Sequence, residues 1–381
     1  MAARYRKDSR AVQARKTVRY AVVGLGWIAQ EAVLPAFAHA RENSELVALV
    51  SGDPDKRQQL GGKYGVEPVC SYEDYDACLQ SDVVDAVYIA LPNTMHREYT
   101  ERAAAAGVHV LCEKPMAVTE EDCEAMIRAC RDNDVRLMIA YRLHFEEANL
   151  KAIDIVQGGE LGDPRLFNSV FTQQVRAGNI RVRKEMAGGT LDDMGVYCIN
   201  AARYLFRDEP VEVVAVTARS GEERFREVEE MTSAVLRFPH DRLATFTCSF
   251  GAAPASSYEV LGTKGSLRLD PAYTYKSALK HRFTVEGKTS EQTFAARDQF
   301  AAELIAFSDC VLSGTEPEPD GCEGLADVRI VRALYRSAEE GRPVELPPFQ
   351  RTRRPTLAQE IQRPPVQEPP LLHAAKAPGK P

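Results

Sequence analysis

Three clusters in this 381-residue chain have residue types and spacings that could carry chemistry. The first is Gly24-Leu25-Gly26-Trp27-Ile28-Ala29, a G-x-G-x-x-A run that follows the apolar stretch 18–24 and opens a helix-length segment. In that setting the first glycine permits a tight turn, and the second lets a pyrophosphate reach the backbone. The small third residue keeps helix and sheet close. Free N–H groups at the helix start then face the phosphates. The bland alternative is a glycine turn that joins strand to helix and binds nothing. The second cluster is Cys112-Glu113-Lys114-Pro115, which ends the fifth apolar run. A lysine there lies at the carboxyl edge of a parallel sheet, the side on which such folds hold ligands. A surface loop lysine fits the same position. The third runs from Gly188 to Tyr197, where Asp193 and Tyr197 stand four apart and share one helix face that continues at Asn200 and Ala201. An acid in a first helical turn and an ordinary half-buried tyrosine would have the same spacing.

The choice of dinucleotide falls to Val50-Ser51-Gly52-Asp53-Pro54-Asp55-Lys56-Arg57, at the end of the second apolar run. NAD selectivity usually needs an acid here to accept from the ribose 2′-hydroxyl. Asp53 is followed by Pro54, the pattern of a helix N-cap and first helical position, so its carboxylate is assigned to capping. Ser51, Lys56 and Arg57 remain, and together they match a 2′-phosphate. NADP is therefore expected before NAD. NAD stays open, because Lys and Arg in a first turn are also common as solvated surface.

The elements that must position these clusters follow from periodicity. Apolar runs at 18–24, 45–50, 85–90, 108–112 and 136–140 alternate with amphipathic stretches at 27–40, 54–64, 94–106 and 119–133. That rhythm predicts a doubly wound parallel sheet covered on both faces. After Arg142 it changes to a helix near 144–158, a strand near 164–174, an arginine-rich loop and a helix from Leu191 to Phe206. Strands at 210–219, 231–238, 243–250, 257–262 and 265–270 then follow one another, the last two joined by the turn Gly262-Thr263-Lys264-Gly265. Two helices, 296–313 and 322–340, are expected to close this second domain.

The predicted fold is α/β: a Rossmann domain (18–142) and an α+β domain with a largely antiparallel, open-faced sheet (143–346). They are flanked by a basic N-terminal arm (1–17) and a proline-rich extended or disordered tail (347–381). On the 243–250 strand both faces are apolar enough to be covered. The face left open by the domain's own helices is expected to meet another copy, in a dimer or tetramer.

Composition excludes several classes. Residues 1–19 carry seven Lys/Arg against one Asp and residues 347–381 six against two, so a chain of net charge −7 leaves its body, residues 20–346, near −17. An acidic body argues against nucleic-acid binding. No apolar run is long enough to span a bilayer, and no export signal is visible at the N-terminus. The nine cysteines include no C-x-x-C pair, which argues against a disulfide framework and a zinc ribbon. A reduced, cytoplasmic protein without metal is expected.

In order, these motifs resemble the Gfo/Idh/MocA oxidoreductases, whose pattern is G-x-G-x-x-A, then E-K-P, then D-x-G-x-Y or D-x-G-x-H. The resemblance spans about residues 18–345 and includes Leu91-Pro92-Asn93, His96 and the Tyr141-Arg142-x-His144 segment. Within the family it is closest to the glucose–fructose oxidoreductase group, by Ala48-Leu49-Val50-Ser51-Gly52, by Cys112 to Met116 and by the tyrosine at 197. The resemblance implies a site between the two domains and makes Lys114, Asp193 and Tyr197 the catalytic set. It places Gly24, Gly26, Trp27, Ile28, Ala29, Ser51, Lys56 and Arg57 at the cofactor, with Leu91, Pro92, Asn93 and His96 toward the nicotinamide and Glu113, Lys114 and Arg142 beside it. The resemblance also puts Arg142 and His144 on the substrate side and implies a cis Lys114–Pro115 peptide.

The implied activity is oxidation of an aldose pyranose at C1 to the lactone, with NADP as the hydride acceptor. If the cofactor stays bound, a second sugar accepts the hydride in a ping-pong cycle. An ammonium about 4 Å from a phenol stabilises the phenolate by on the order of 4 kcal/mol at an effective dielectric of about 20. Lys114 could thus activate Tyr197 as base, leaving Asp193 for a sugar hydroxyl or for orienting Lys114. The alternatives are a diol or xylose-type dehydrogenase, an NAD-dependent glycosidase, and a dinucleotide-sensing regulator without turnover. A sensor would need the glycine turn but not the proton-transfer set. The tail after 346 lies outside the shared pattern.

Overall fold

Six short strands form the first sheet: β1 (Val18–Val23), β2 (Ser44–Val50), β3 (Val69–Cys70), β4 (Ala86–Ile89), β5 (His109–Glu113) and β6 (Leu137–Ala140). The computed structural model describes residues 16–374. In it these strands pair in parallel in the order β3-β2-β1-β4-β5-β6. Strand order reverses between β1 and β4, which places a crevice at their carboxyl ends. Tyr20, Ala21, Val22 and Val23 are wholly buried, as strands covered on both faces require. β3 has only two residues, too few to show a periodic pattern in the sequence.

The helices Pro54–Tyr64, His96–Ala105 and Glu120–Asp132 match their expected places. The segment after the glycine turn is helical but irregular, with a π turn at Ala29–Val33 and a 3₁₀ turn at Phe37–His39. Pro35 lies inside it and has no N–H to return to the preceding turn.

The helix Gln299–Ser313 corrects the expected domain plan. Chain contacts divide the protein into two units, and Asp298–Leu325 belongs to the first, with the chain up to Arg142 and again from Arg363. Leu143–Arg297 and Ala326–Gln362 form the second. The reason lies in polar groups of the first unit that need partners. Asn43 Nδ2 donates to Ile305 O at 3.0 Å, Tyr20 Oη bonds Ser308 Oγ at 2.7 Å, and His39 Nδ1 meets Asp298 at 2.8 Å.

In the second unit, β7 (Pro164–Thr172), β8 (Glu212–Ala218), β9 (Met231–Phe238), β10 (Arg242–Ser249), β11 (Ala255–Gly262), β12 (Gly265–Leu269), β13 (Leu279–Val285), β14 (Lys288–Phe294) and β15 (Val344–Glu345) form one sheet. Their order is β14-β13-β12-β11-β7-β10-β9-β8-β15. All pairs are antiparallel except β7 with β10. The hairpin of β13 and β14 was not anticipated, because β14 (KTSEQTF) is exposed along nearly its whole length and has no apolar face to read. Ala244, Phe246 and Cys248 of β10 are buried, whereas Leu243 on the opposite face is 40% exposed. Leu166, Val170, Val216 and Val235 are likewise exposed.

The proline-rich segment is mostly extended, with one 3₁₀ turn at Leu357–Gln359, and it is anchored at several points. Arg354, nearly buried, donates to Glu209 at 2.7 Å within the second unit. From Arg363 the chain lies on the first unit, with Arg363 Nε donating to His39 O at 3.1 Å. Residues 375–381 of the expected tail, and residues 1–15 of the expected basic arm, lie outside the described residues. Among the described residues no helix is long and apolar enough to cross a membrane.

Candidate functional site

Gly24 has φ +92°, and a Cβ added there would lie 2.5 Å from Ala90 O. Only glycine meets both conditions. Gly26 has open space before it, with nothing within 4 Å of an added Cβ, so a phosphate can approach its backbone closely. Ala29 is fully buried beneath the turn, while Trp27 and Ile28 remain partly exposed. The cradle fits a dinucleotide pyrophosphate.

At the end of β2, Ser51 is 4% exposed and its Oγ accepts from Asp53 N at 3.2 Å. The Asp53 Oδ1 accepts from Asp55 N at 2.9 Å and Lys56 N at 3.1 Å, which makes Asp53 the N-cap. Its Oδ2 meets His373 Nδ1 at 3.1 Å. The Lys56 amide and the imidazole hold the Asp53 carboxyl below its usual value. Its oxygens are thus committed to protein groups. Arg57 is drawn inward, with Nη1 donating to the Ser51 carbonyl at 2.6 Å.

His96 has no exposure, and its place is structural. One ring nitrogen meets Leu91 O at 2.9 Å and the other meets Pro115 O at 3.0 Å and Met116 O at 3.2 Å. Burial lowers its pKa, consistent with a neutral ring. His96 therefore ties the Leu91-Pro92-Asn93 turn to the Lys114–Pro115 turn, whose peptide is cis. Lys114 itself is half-buried. The neighbouring Glu113 accepts from Tyr88 Oη at 2.8 Å, and burial raises its pKa despite the nearby charges of Lys114 and Arg142. Arg142 is 5% exposed and donates to Gln299 Oε1. Glu303 is fully buried with neither carboxyl oxygen hydrogen-bonded, and desolvation, with Glu113 nearby, pushes its pKa well above the ordinary range. Burial thus favours the protonated form of Glu303.

In the second unit, Leu191–Gly195 is a π turn that leads into the α-helix Val196–Phe206. The expected spacing assumed a regular helix throughout, and the wider turn alters it. Both side chains still reach the end of β7. Tyr197 packs edge-on against Phe171 at 5.5 Å, and Asp193 is met by Gln173 Nε2 at 3.2 Å, two residues farther along that strand. Arg181 Nε donates to Asp193 Oδ2 at 2.7 Å. The neighbouring Asp192 is buried and ion-paired with Arg332.

His144 lies in the interior of the second unit with no exposure. Its Nε2 meets Asn200 Oδ1 at 2.8 Å, and Asn200 donates to Asp327 at 3.0 Å. A ring so enclosed ties the segment before the helix Glu147–Gln157 to the helix Val196–Phe206. Sequence reasoning missed Arg181, Gln173, Glu303 and His373. Arg181 alone left a signal, as a member of the arginine-rich loop.

Comparison with known proteins bears on both units. A family profile described as an oxidoreductase family with an NAD-binding Rossmann fold, GFO/IDH/MocA, matches residues 18–141. The profile of that family's C-terminal domain matches residues 149–268. The chain is 35% identical to a D-xylose 1-dehydrogenase [NADP(+)] of Haloarcula marismortui, over 86% of this chain and 93% of the relative. It is 32% identical to a dTDP-3,4-didehydro-2,6-dideoxy-alpha-D-glucose 3-reductase of Actinomadura kijaniata, over 85% of this chain and 96% of that one. Among solved structures, an aldose–aldose oxidoreductase from Caulobacter crescentus complexed with glycerol is 41% identical. Its TM-score is 0.83, covering 87% of this chain and all of that one.

Proposed function

The chain belongs to the GFO/IDH/MocA oxidoreductase family, and we propose that it oxidises an aldose pyranose at C1 to the lactone with NADP. The observation that carries the cofactor choice is the state of Asp53. Its carboxylate caps a helix and pairs with His373, so it is not available to a ribose 2′-hydroxyl. Ser51, Lys56 and Arg57 are then the groups that meet a 2′-phosphate. The relatives named for NADP and for sugars support the same reading.

The bound dinucleotide supplies the hydride acceptor. Tyr197 Oη takes the proton of the C1 hydroxyl, and in the reverse direction returns it to a carbonyl oxygen. Lys114 Nζ favours the phenolate by its charge. Asp193, already compensated by Arg181, accepts from a sugar hydroxyl and fixes the ring. Arg142 and Glu113 stabilise the floor of the nicotinamide side, and His96 holds the two turns in register.

Two further features belong to this reading. The exposed apolar face of the second sheet, with Val216 68% exposed, is the surface through which copies of the chain associate as a dimer or tetramer. Nine free thiols suit the reducing cytoplasm.

The test adds D-glucose or D-xylose to the purified protein and follows the near-ultraviolet band of reduced nicotinamide. Continuous turnover with NADP and little with NAD is the expected result. A rise limited to a single turnover without added nucleotide identifies the ping-pong form, in which the cofactor stays bound and a second sugar takes the hydride. Failure of every aldose with either nucleotide would remove the proposal.

A further inference from the structure

Leu372 and His373 join two places that border the dinucleotide crevice. Leu372 N–H donates to Gln30 Oε1 at 2.8 Å, and Gln30 Nε2 donates back to Leu372 O at 2.8 Å. The Gln30 side chain is 2% exposed and also donates to Leu25 O at 2.9 Å, inside the glycine turn. One residue later, His373 Nδ1 meets Asp53 Oδ2 at 3.1 Å. Gln30 belongs to the helix that follows Gly24 and Gly26, and Asp53 caps the helix that follows β2. In a doubly wound sheet the adenosine half of a dinucleotide lies between these two places. The C-terminal segment thus passes from one border of the adenosine crevice to the other within two residues.

Three features suit this segment to holding something down. It is anchored upstream, where Arg363 donates to His39 O and pairs with Glu42. Pro364, Pro365, Pro369 and Pro370 stiffen the span between the anchors and lower the entropy lost on closing it. His373 has φ +43°, a left-handed conformation that side chains rarely adopt and that gathers at ligand clamps.

We propose that residues 364–373 form a strap across the adenosine end of the dinucleotide site, retaining the bound cofactor in cis, with the His373 imidazole adding a donor beside the 2′-phosphate. The proposal rests on the reading of this site as one for NADP. It gives the extension a purpose, because a retained cofactor can be reduced by one sugar and reoxidised by another without leaving.

The experiment uses the full chain loaded with NADPH and chased with excess NADP, following the loss of bound nicotinamide fluorescence. Leu372→Pro removes the N–H that Gln30 accepts, and His373→Ala removes the contact to Asp53. Faster release is expected in both, by about tenfold or more for Leu372→Pro, since changes at a binding surface act mainly on dissociation. The apo-protein melting temperature of each variant is expected to match the wild type. Backbone amide exchange at 371–373 should slow in the wild type when NADPH is added. Unchanged or slower release from Leu372→Pro, or amide exchange at 371–373 indifferent to NADPH, overturns the strap. A wild-type chain that takes up no NADPH overturns the dinucleotide reading itself, a result separate from the other two.

Discussion

Arg181 Nε donates to Asp193 Oδ2 at 2.7 Å, and Gln173 Nε2 meets the same oxygen at 3.2 Å. Both side chains of the ion pair are largely sheltered, at 22% and 18% exposure. A carboxylate held this way is oriented and its charge is answered, which suits it to receiving a hydroxyl hydrogen. Replacing Arg181 with Gln should lower kcat/KM for the sugar by about tenfold or more, a loss of about 1.4 kcal/mol. The KM for NADP should change little, so steady-state kinetics in both substrates separates the two effects.

Tyr197 tests the proton transfer directly. Tyr197→Phe keeps the ring against Phe171 and removes only the hydroxyl. The expected outcome is a fall in kcat of about 10²–10⁴, the range for a positioned acid or base. NADPH affinity, read by fluorescence titration, should be retained. A Phe variant with near-normal turnover would refute the role given to Tyr197.

Cofactor choice is expected to depend on Arg57. Its guanidinium reaches back from the helix that Asp53 caps to the Ser51 carbonyl at the end of β2. Arg57→Ala should reduce kcat/KM with NADP by about tenfold, worth about 1.4 kcal/mol, and leave that with NAD nearly unchanged. Equal losses with both nucleotides would show that Arg57 only supports the loop.

Glu303 predicts a pH dependence of stability. Its pKa in the folded chain lies well above that of an ordinary glutamate in water, mainly through burial. Between those two values the folded chain keeps a proton that the unfolded chain releases, so stability falls as pH rises through that window. Glu303→Gln should remove this contribution, so that its effect on stability becomes more favourable as pH rises. Urea unfolding at pH 5 and pH 8 measures it, and the gain should be larger at pH 8.

The open sheet face predicts association. Val216→Asp places a charge on an exposed apolar surface whose folding role is small. Light scattering after size exclusion should show a smaller assembly for the variant, with the melting of the isolated chain little affected. An unchanged assembly would move the interface elsewhere.

Much of the arrangement was legible from local pattern. The glycine turn, the capping role of Asp53 and the strands from β1 to β12, except β3, follow from residue types within a few positions of one another. Side chains that act across long sequence distances were not legible. Glu303 faces Tyr88 and Glu113 from a helix some two hundred positions away, and Asp298 meets His39 from farther still. Nothing in the spacing of 296–313 distinguishes a helix that closes the second unit from one that returns to the first.

The sequence by itself therefore determined the dinucleotide fold, the family and the residue types available for proton transfer, because periodicity, turn chemistry and motif order are local and the physics that sets them is short-ranged. Tertiary structure decided which groups are spent and which are free. Packing enclosed His144 and His96, left Glu303 without a hydrogen bond, turned Arg181 onto Asp193 and brought His373 to Asp53. Each outcome depends on desolvation and on contacts between distant segments, and those energies exist only once the chain has closed on itself.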